Sequence, residues 1–184
     1  MEDIIAKEGQ ELNFLPVGNY QAVCFDIWDI GIQAGSYDGK PNSAHKIIIG
    51  WEVDEKIESQ DEYNGKRYKI YGWYTLSLGK KSNLRRDLTS WRGKEFTAEE
   101  LKGFKINKLL GANCMLNVIH QDNGKPKVSA VTSIPKNLPK IDPETIQSLP
   151  EWVKKFQNKA ISEQEAAALK EESIEPAADD EIGF

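Results

Sequence analysis

The chain has 184 residues, of which 39% are hydrophobic and 29% charged, and its formal net charge is −5. This composition predicts one folded domain with a hydrophobic core. The negative net charge, taken alone, argues against a nucleic-acid partner. The acidity is concentrated, however, in residues 162–184, which carry a net charge of −7 and leave +2 for residues 1–161. Because no segment resembles a secretory signal or a transmembrane helix, we expect a cytoplasmic protein without a membrane partner.

The first half of the chain alternates strand-like and loop-like segments. Residues 1–13 are expected to form a flexible arm. The pattern in residues 19–30 predicts a strand, in which alternation places Phe25 and Trp28 on opposite faces. Three glycines and a proline without periodicity then predict a long loop over residues 31–45. A second strand is predicted over residues 46–54, with Trp51 on its core face.

Residues 66–94 form a basic aromatic stretch, with nine Lys and Arg residues and a single acid, Asp87. Its first part predicts a strand in which Lys69, Tyr71 and Trp73 share one face, opposite a face typical of a barrel interior. A cation beside two aromatic rings suits the stacking of unpaired bases and the binding of their phosphates. A second buried face, as in a sandwich core, is the alternative, and this stretch alone does not decide between them.

The second half of the chain predicts helices followed by two more strands. Leu84, Leu88 and Trp91 lie on one face of a helix, and Thr97 begins a capping box for a second, short helix. Alternation returns in residues 113–121 and, after a turn, in residues 127–134. This order predicts a mainly β fold: a five-stranded OB-fold barrel with short helices between strands 3 and 4, plus a disordered acidic C-terminal tail. An SH3-like barrel or a plain sandwich remains open, because spacing does not reveal strand order.

Composition divides the chain into four predicted segments. They are a flexible N-terminal arm (1–13), an OB-fold DNA-binding domain (14–134), a Pro-rich linker with a short helix (135–161) and an acidic tail ending in a partner-binding tip (162–184). On the short helix, Trp152 and Phe156 are predicted to dock onto the preceding domain.

The tip resembles the C-terminal peptide of bacterial single-stranded DNA-binding proteins, which ends Asp-Asp-Asp-Ile-Pro-Phe. Its six residues are Asp179, Asp180, Glu181, Ile182, Gly183 and Phe184. Glu181 stands in place of the third Asp and Gly183 in place of the Pro. The resemblance implies that the tip recruits replication, recombination or repair proteins, with the aromatic ring and its carboxylate entering a basic-rimmed apolar pocket.

The body of the chain resembles bacteriophage-encoded single-stranded DNA-binding proteins over about residues 14 to 134. The matching segments are LPVGNYQA (15–22), IGWEVDE (49–55), YTLSLGKKSNLRRDLTSWRGK (74–94) and NKLLGANCMLNV (107–118). The resemblance implies an OB-fold protein that coats and protects single-stranded DNA during phage replication or recombination, in the cytoplasm of the bacterial host.

Sequence-tolerant binding of single-stranded DNA is therefore the leading functional prediction, with no enzyme activity, metal or cofactor. The predicted DNA-binding residues are Lys66, Arg67, Lys69, Tyr71, Trp73, Lys80, Lys81, Arg85 and Arg86. The main alternative is a recombination mediator or adaptor whose chief role is partner recruitment. A metal-dependent nuclease site built from Asp26, Asp29, Glu52 and Asp54 is disfavoured, because these residues lack a diagnostic spacing.

Overall fold

A computed structural model of the protein describes residues 14–174. The strands are β1 (Gly18–Tyr37), β2 (Lys40–Lys56), β3 (Arg67–Thr75), β4 (Asn113–His120) and β5 (Pro126–Thr132). The helices are α1 (Asn83–Arg92), α2 (Ala98–Lys102), α3 (Glu151–Gln157) and α4 (Glu163–Ile174), with a short 3₁₀ helix at Ile106–Leu109. In this part of the chain, no helix has both the length and the apolar character needed to span a membrane.

The five strands form one antiparallel sheet in the order β3-β2-β1-β4-β5. The predicted mainly β fold is thus confirmed, with α1, α2 and the 3₁₀ helix between β3 and β4. The predicted closure into a barrel is not observed, because β3 and β5 are the two edges of the sheet and do not pair with each other within residues 14–174. The sheet nevertheless curls, so that side chains of β3 and β5 line a common cleft.

The first two strands form a hairpin much longer than predicted. The prediction of a long loop over residues 31–45 is wrong, because β1 continues to Tyr37 and β2 begins at Lys40. The connecting residues Asp38 and Gly39 both have positive φ, 51° and 73°, as a tight type I′ hairpin turn requires. The outer part of this hairpin is mostly exposed. It therefore has no buried face that could impose an alternating pattern on its sequence.

The concave face of the sheet is filled by the main hydrophobic core. Trp51 from β2 and Trp91 from α1 are both buried there, with ring centroids 5.9 Å apart, as the sequence predicts. Leu84 and Leu88 bring the apolar face of α1 onto the same core. The helix has local start and stop signals: Ser82 caps its N-terminus, and Gly93 ends it in the left-handed conformation.

The opposite, outer face of the sheet carries a second, aromatic cluster. The prediction that side chains alternate strictly along β1 is wrong, because a β-bulge interrupts the register between Cys24 and Asp26. The extra residue places Phe25 and Trp28 on the same face, with ring centroids 5.8 Å apart. Gly50 lies beneath both rings, and a side chain at this position would clash with them.

A segment without regular structure, residues 135–150, lies across the sheet and is called the strap below. Its backbone amides satisfy two buried carboxylates: Ser148 N–H donates to Asp26, and the amides of Glu144 and Thr145 donate to Glu52. Trp28 Nε1 in turn donates to the Ser148 carbonyl over 2.7 Å. The strap thereby delivers α3 to the outer face of the sheet.

Candidate nucleic-acid interface

Trp73 is the exposed aromatic residue around which this site is built. Because side chains alternate along β3, Trp73 and Tyr71 both point to the outer face, whereas Tyr74 points into the core. Helix α3 covers Tyr71, whose ring lies 5.0 Å from that of Trp152. Trp73 is only bordered by α3 and stays 47% exposed. A large flat ring is thus available to solvent at the end of the strand.

A groove of about 630 Å³ opens beside this indole and is called the Trp73 groove. It is lined by Lys46, Trp73, Tyr74, Thr75, Ser77, Gly79, Lys80, Lys81, Ser82 and Asn83. Lys46 lies directly opposite Thr75 in the pairing of β2 with β3. The groove therefore runs along the end of β3 and the loop that connects it to α1.

The loop between β3 and α1 is held by hydrogen bonds that involve Ser77 and Ser82. Ser82 Oγ donates to the Ser77 carbonyl over 2.5 Å and accepts from the Arg85 amide at 3.3 Å. The amide of Gly79 donates to Ser77 Oγ over 3.1 Å. Lys80 and Lys81, between these anchors, are exposed. Their positive charges are therefore carried on an ordered backbone at the rim of the groove.

A second opening, of about 500 Å³, continues from the Trp73 groove between the two sheet edges and is called the β3–β5 cleft. The two share Trp73, Tyr74 and Asn83. Further side chains lining the cleft are Tyr71, Arg86, Ile119, Gln121, Lys127 and Ser129, among others. The cleft thus adds two cations and an exposed apolar side chain, Ile119, to the same surface.

Asp87, the single acid of the basic aromatic stretch, connects β3 and α1 beneath this surface. It is buried, accepts a hydrogen bond from the Tyr74 hydroxyl at 3.0 Å and contacts Arg86 Nε at 2.9 Å. Burial, and the neighbouring carboxylate, raise the pKa of Tyr74 well above its ordinary value of 10.0, so its hydroxyl keeps its proton and remains a donor in alkaline solution as well. Asp87 thereby fixes α1 against β3 and orients the exposed guanidinium of Arg86.

The lysines of this surface carry uncompensated charge. Within residues 14–174, Lys46, Lys80, Lys81 and Lys127 form no ion pair. Lys80, Lys81 and Lys127 are exposed, and Lys46 is half-buried. Cations that lack a carboxylate partner can contact phosphates without first breaking an internal interaction. The surface therefore combines an exposed stacking ring with several available cations.

The structure gathers five of the predicted DNA-binding residues in this region. Trp73, Lys80 and Lys81 line the Trp73 groove, and Arg86 lines the β3–β5 cleft. Arg85 lies beside them in a smaller pocket that it shares with Lys80 and Arg86, and its guanidinium donates to the Leu78 carbonyl. All five are therefore close to the connection between β3 and α1.

The other four predicted residues lie away from this connection, although Tyr71 also lines the β3–β5 cleft. Tyr71 is partly buried under α3, and burial raises the pKa of its hydroxyl. Lys69 is exposed on the outer face, with its Nζ atom 5.3 Å from the centroid of the Phe25 ring. Lys66 precedes β3 and lies over Tyr63, about 20 Å along the strand from Trp73.

Arg67, the fourth of these residues, belongs to an internal network with the strap. Its side chain is only 12% exposed, lies 3.3 Å from Asp54 and 3.5 Å from Glu144, and donates to the Asp142 carbonyl. Its charge is thus already compensated, and its role in the fold is to fix the strap at the start of β3.

Two cations of the surface, Lys46 and Lys127, were not among the predicted site residues. Lys46 reaches the groove through its pairing with Thr75, and Lys127 through the curl that brings β5 towards β3. A hairpin register could have indicated Lys46, since Asp38-Gly39 is a strong turn signal. No local pattern indicates the approach of β5.

The carboxylates considered for a nuclease site have other partners. Asp26 and Glu52 accept amide hydrogen bonds from the strap, and Asp29 lies 2.7 Å from His45 Nε2. Within residues 14–174, no group of three or more His, Cys, Asp or Glu side chains is arranged to hold a metal ion. The predicted partner-binding tip, residues 179–184, lies outside the described residues.

Comparisons with known proteins identify no relative of this chain. No protein-family model matches it, and a search of curated proteins finds no match. The chemistry of the Trp73 groove and the β3–β5 cleft is therefore the main guide to function.

Proposed function

We propose that the protein binds single-stranded DNA without sequence preference, in the Trp73 groove and the adjoining β3–β5 cleft. The observation that carries the proposal is the 47% exposed indole of Trp73, bordered by Lys46, Lys80 and Lys81, none of which forms an ion pair within residues 14–174. Stacking of a base on an aromatic ring contributes on the order of 1–3 kcal/mol and is available to every base. The lysines would neutralise the flanking phosphates.

We further propose that the curled sheet is an open form of the OB-fold. Two features support this: five antiparallel strands with α1 between the third and fourth, and edge strands β3 and β5 that line one cleft. OB-folds bind oligonucleotides on their second and third strands and on neighbouring loops. In this chain, Lys46 on β2 and Trp73 on β3 occupy corresponding elements.

The sequence resemblance to phage proteins extends this proposal to biological context. We propose that the protein coats and protects single strands during phage DNA replication or recombination. Recruitment of other proteins by residues 179–184 rests on the sequence of the tip alone. It is a separate activity from DNA binding, so a substitution in the groove should leave it intact.

The experiment that tests the proposal is a titration of the full chain with fluorescein-labelled oligo(dT), monitored by anisotropy, for the wild type and Trp73→Ala. Loss of one stacked base is expected to weaken binding by about five- to 150-fold. Tyr63→Ala is the matched control, because Tyr63 is 53% exposed and lies beside Lys66, before the start of β3 and at the opposite end of that strand from Trp73. An unchanged dissociation constant for Trp73→Ala would contradict the proposed site.

A competition experiment tests the preference for single strands. Unlabelled oligo(dT) should displace the labelled strand, whereas a duplex of equal length should compete much less well, because its bases are not free to stack. Salt dependence should be strong, with a slope of about −0.7 per neutralised phosphate. Duplex competition equal to that of the single strand would exclude stacking as the basis of binding.

A further inference from the structure

Helix α3 contacts the indole of Trp73, which lines the Trp73 groove. Its Phe156 ring meets the Trp73 indole edge to face, with centroids 4.7 Å apart and an interplanar angle of 74°. Trp152, one turn earlier, lies 6.3 Å from the same indole. Trp73 is therefore shared between the groove and α3, and a base stacked on the indole would lie close to this helix.

The residues just after α3 place a cation beside this aromatic pair. Lys159 is exposed, and its Nζ atom lies 6.0 Å from the centroid of the Phe156 ring. It forms no ion pair within residues 14–174, unlike Lys154 on the same segment, which pairs with Glu151. Its positive charge is therefore available beside Phe156, the ring that contacts the Trp73 indole.

The backbone carrying Lys159 is held firmly to β1. Gln33 Nε2 donates to the Phe156 carbonyl over 3.0 Å, and Gln157 Nε2 donates to the Asp29 carbonyl over 2.8 Å. Ile161 N–H donates to the Ile32 carbonyl over 2.8 Å, just beyond the lysine. Although the side chain of Lys159 is exposed, its attachment point is thus fixed relative to the sheet.

We propose that α3 and its C-terminal turn form one wall of the nucleic-acid site, and that Lys159 contacts a phosphate of the strand stacked on Trp73. This inference rests on the proposed function. The bound strand would then run from Lys80 and Lys81, across the indole, to Lys159, so cations would hold the backbone on both sides of the stacked base. The segment after residue 134 becomes part of the binding surface as well as part of the fold.

The test compares Lys159→Gln with Lys66→Gln in oligo(dT) titrations over a range of salt concentrations, using the full chain. Lys66 is a matched control, because its Nζ atom also lies over an aromatic ring, 5.2 Å from the Tyr63 centroid, but at the opposite end of β3. Lys159→Gln is expected to weaken binding by about two- to fivefold, the range for an exposed ion pair. Its salt slope should be shallower than that of the wild type by about 0.7.

Three outcomes would contradict the inference. Unchanged affinity and slope in Lys159→Gln would show that the strand does not reach α3. Tighter binding would show that α3 competes with the strand. An equal effect of Lys66→Gln would indicate a general effect of charge. Failure of Trp73→Ala to weaken binding would instead refute the proposed function, so the two failures are distinguishable.

Discussion

The hydroxyl of Tyr74 donates a 3.0 Å hydrogen bond to the buried carboxylate of Asp87, joining the end of β3 to α1. The same carboxylate contacts Arg86 at the β3–β5 cleft. This one bond therefore links the hydrophobic core to the geometry of the proposed binding surface.

Tyr74→Phe is expected to destabilise the protein by about 1–3 kcal/mol, because a buried carboxylate oxygen loses its donor. Urea denaturation followed by circular dichroism measures the change. Tyr63→Phe serves as the control, since Tyr63 is 53% exposed and its substitution should leave the stability nearly unchanged. Equal stability of the two variants would mean that the bond between Tyr74 and Asp87 contributes nothing to folding.

Glu52→Gln should loosen the strap. Glu52 is 1% exposed and accepts amide hydrogen bonds from Glu144 and Thr145 at 2.7 and 2.6 Å. A glutamine has one acceptor oxygen, so its NH₂ group would face a backbone N–H, and the cost is expected on the order of 2 kcal/mol.

Urea denaturation and limited proteolysis measure this effect, with faster cleavage expected within residues 135–150. Asp54→Asn is the control: Asp54 lies on the same strand and also contacts Arg67, but its side chain is 46% exposed. Equal cleavage rates in the wild type and Glu52→Gln would argue against an anchoring role for the buried carboxylate.

Stability is expected to decrease above about pH 9. Burial raises the pKa of the Cys24 thiol from 9.0 to about 12, so the folded state keeps this proton over a range in which the unfolded chain loses it. The unfolded state then binds fewer protons, and the free energy of unfolding falls with rising pH by up to about 1.4 kcal/mol per unit.

Urea denaturation of the wild type and Cys24→Ala at pH 8 and pH 10.5 tests this expectation. The variant should lose less stability than the wild type between the two pH values. Burial also raises the pKa values of Tyr74 and Cys114, so part of the pH-dependent loss of stability should remain in the variant. An identical loss in both proteins would exclude Cys24 as a contributor.

Removal of residues 179–184 should leave oligo(dT) affinity unchanged or increase it, because acidic residues compete with phosphates for the basic surface. Phe184→Ala, which keeps the acidic charges, should not alter DNA binding. Both changes are expected to abolish co-purification of replication or repair proteins. Weaker DNA binding after the truncation would require a different role for the tail.

Local sequence signals predicted the elements that depend on nearby residues. Helix α1 follows from Leu84, Leu88 and Trp91, with caps on either side, and each of these signals acts within a few residues. Alternation in β3 likewise predicted that Trp73 would face outwards. These parts of the fold and the site could be predicted because periodicity and capping are properties of short segments.

The remaining features depend on contacts between distant segments. The bulge at Phe25 changes the face of Trp28 without altering the composition of β1. The strap binds Asp26 and Glu52 through its backbone amides. Every residue except proline has such an amide, so no side-chain pattern in the sequence predicts this contact. Tyr71 is partly buried because α3 docks over it. Lys46 reaches the site through the register of β2 with β3, and Lys127 through the curl of the sheet.

The strap is expected to dock last during synthesis of the sheet and strap, because it follows all five strands in the sequence. Its amides reach Glu52 and Asp26 across 92 and 122 residues of sequence, so these bonds, like the pairing of β1 with β4, close long loops that are costly in entropy. During synthesis, β1 and β2 emerge long before the strap that satisfies their carboxylates. We therefore expect an intermediate with a formed sheet, hydrated carboxylates at Asp26 and Glu52, and an uncovered aromatic face, which matures only when residues 135–161 arrive.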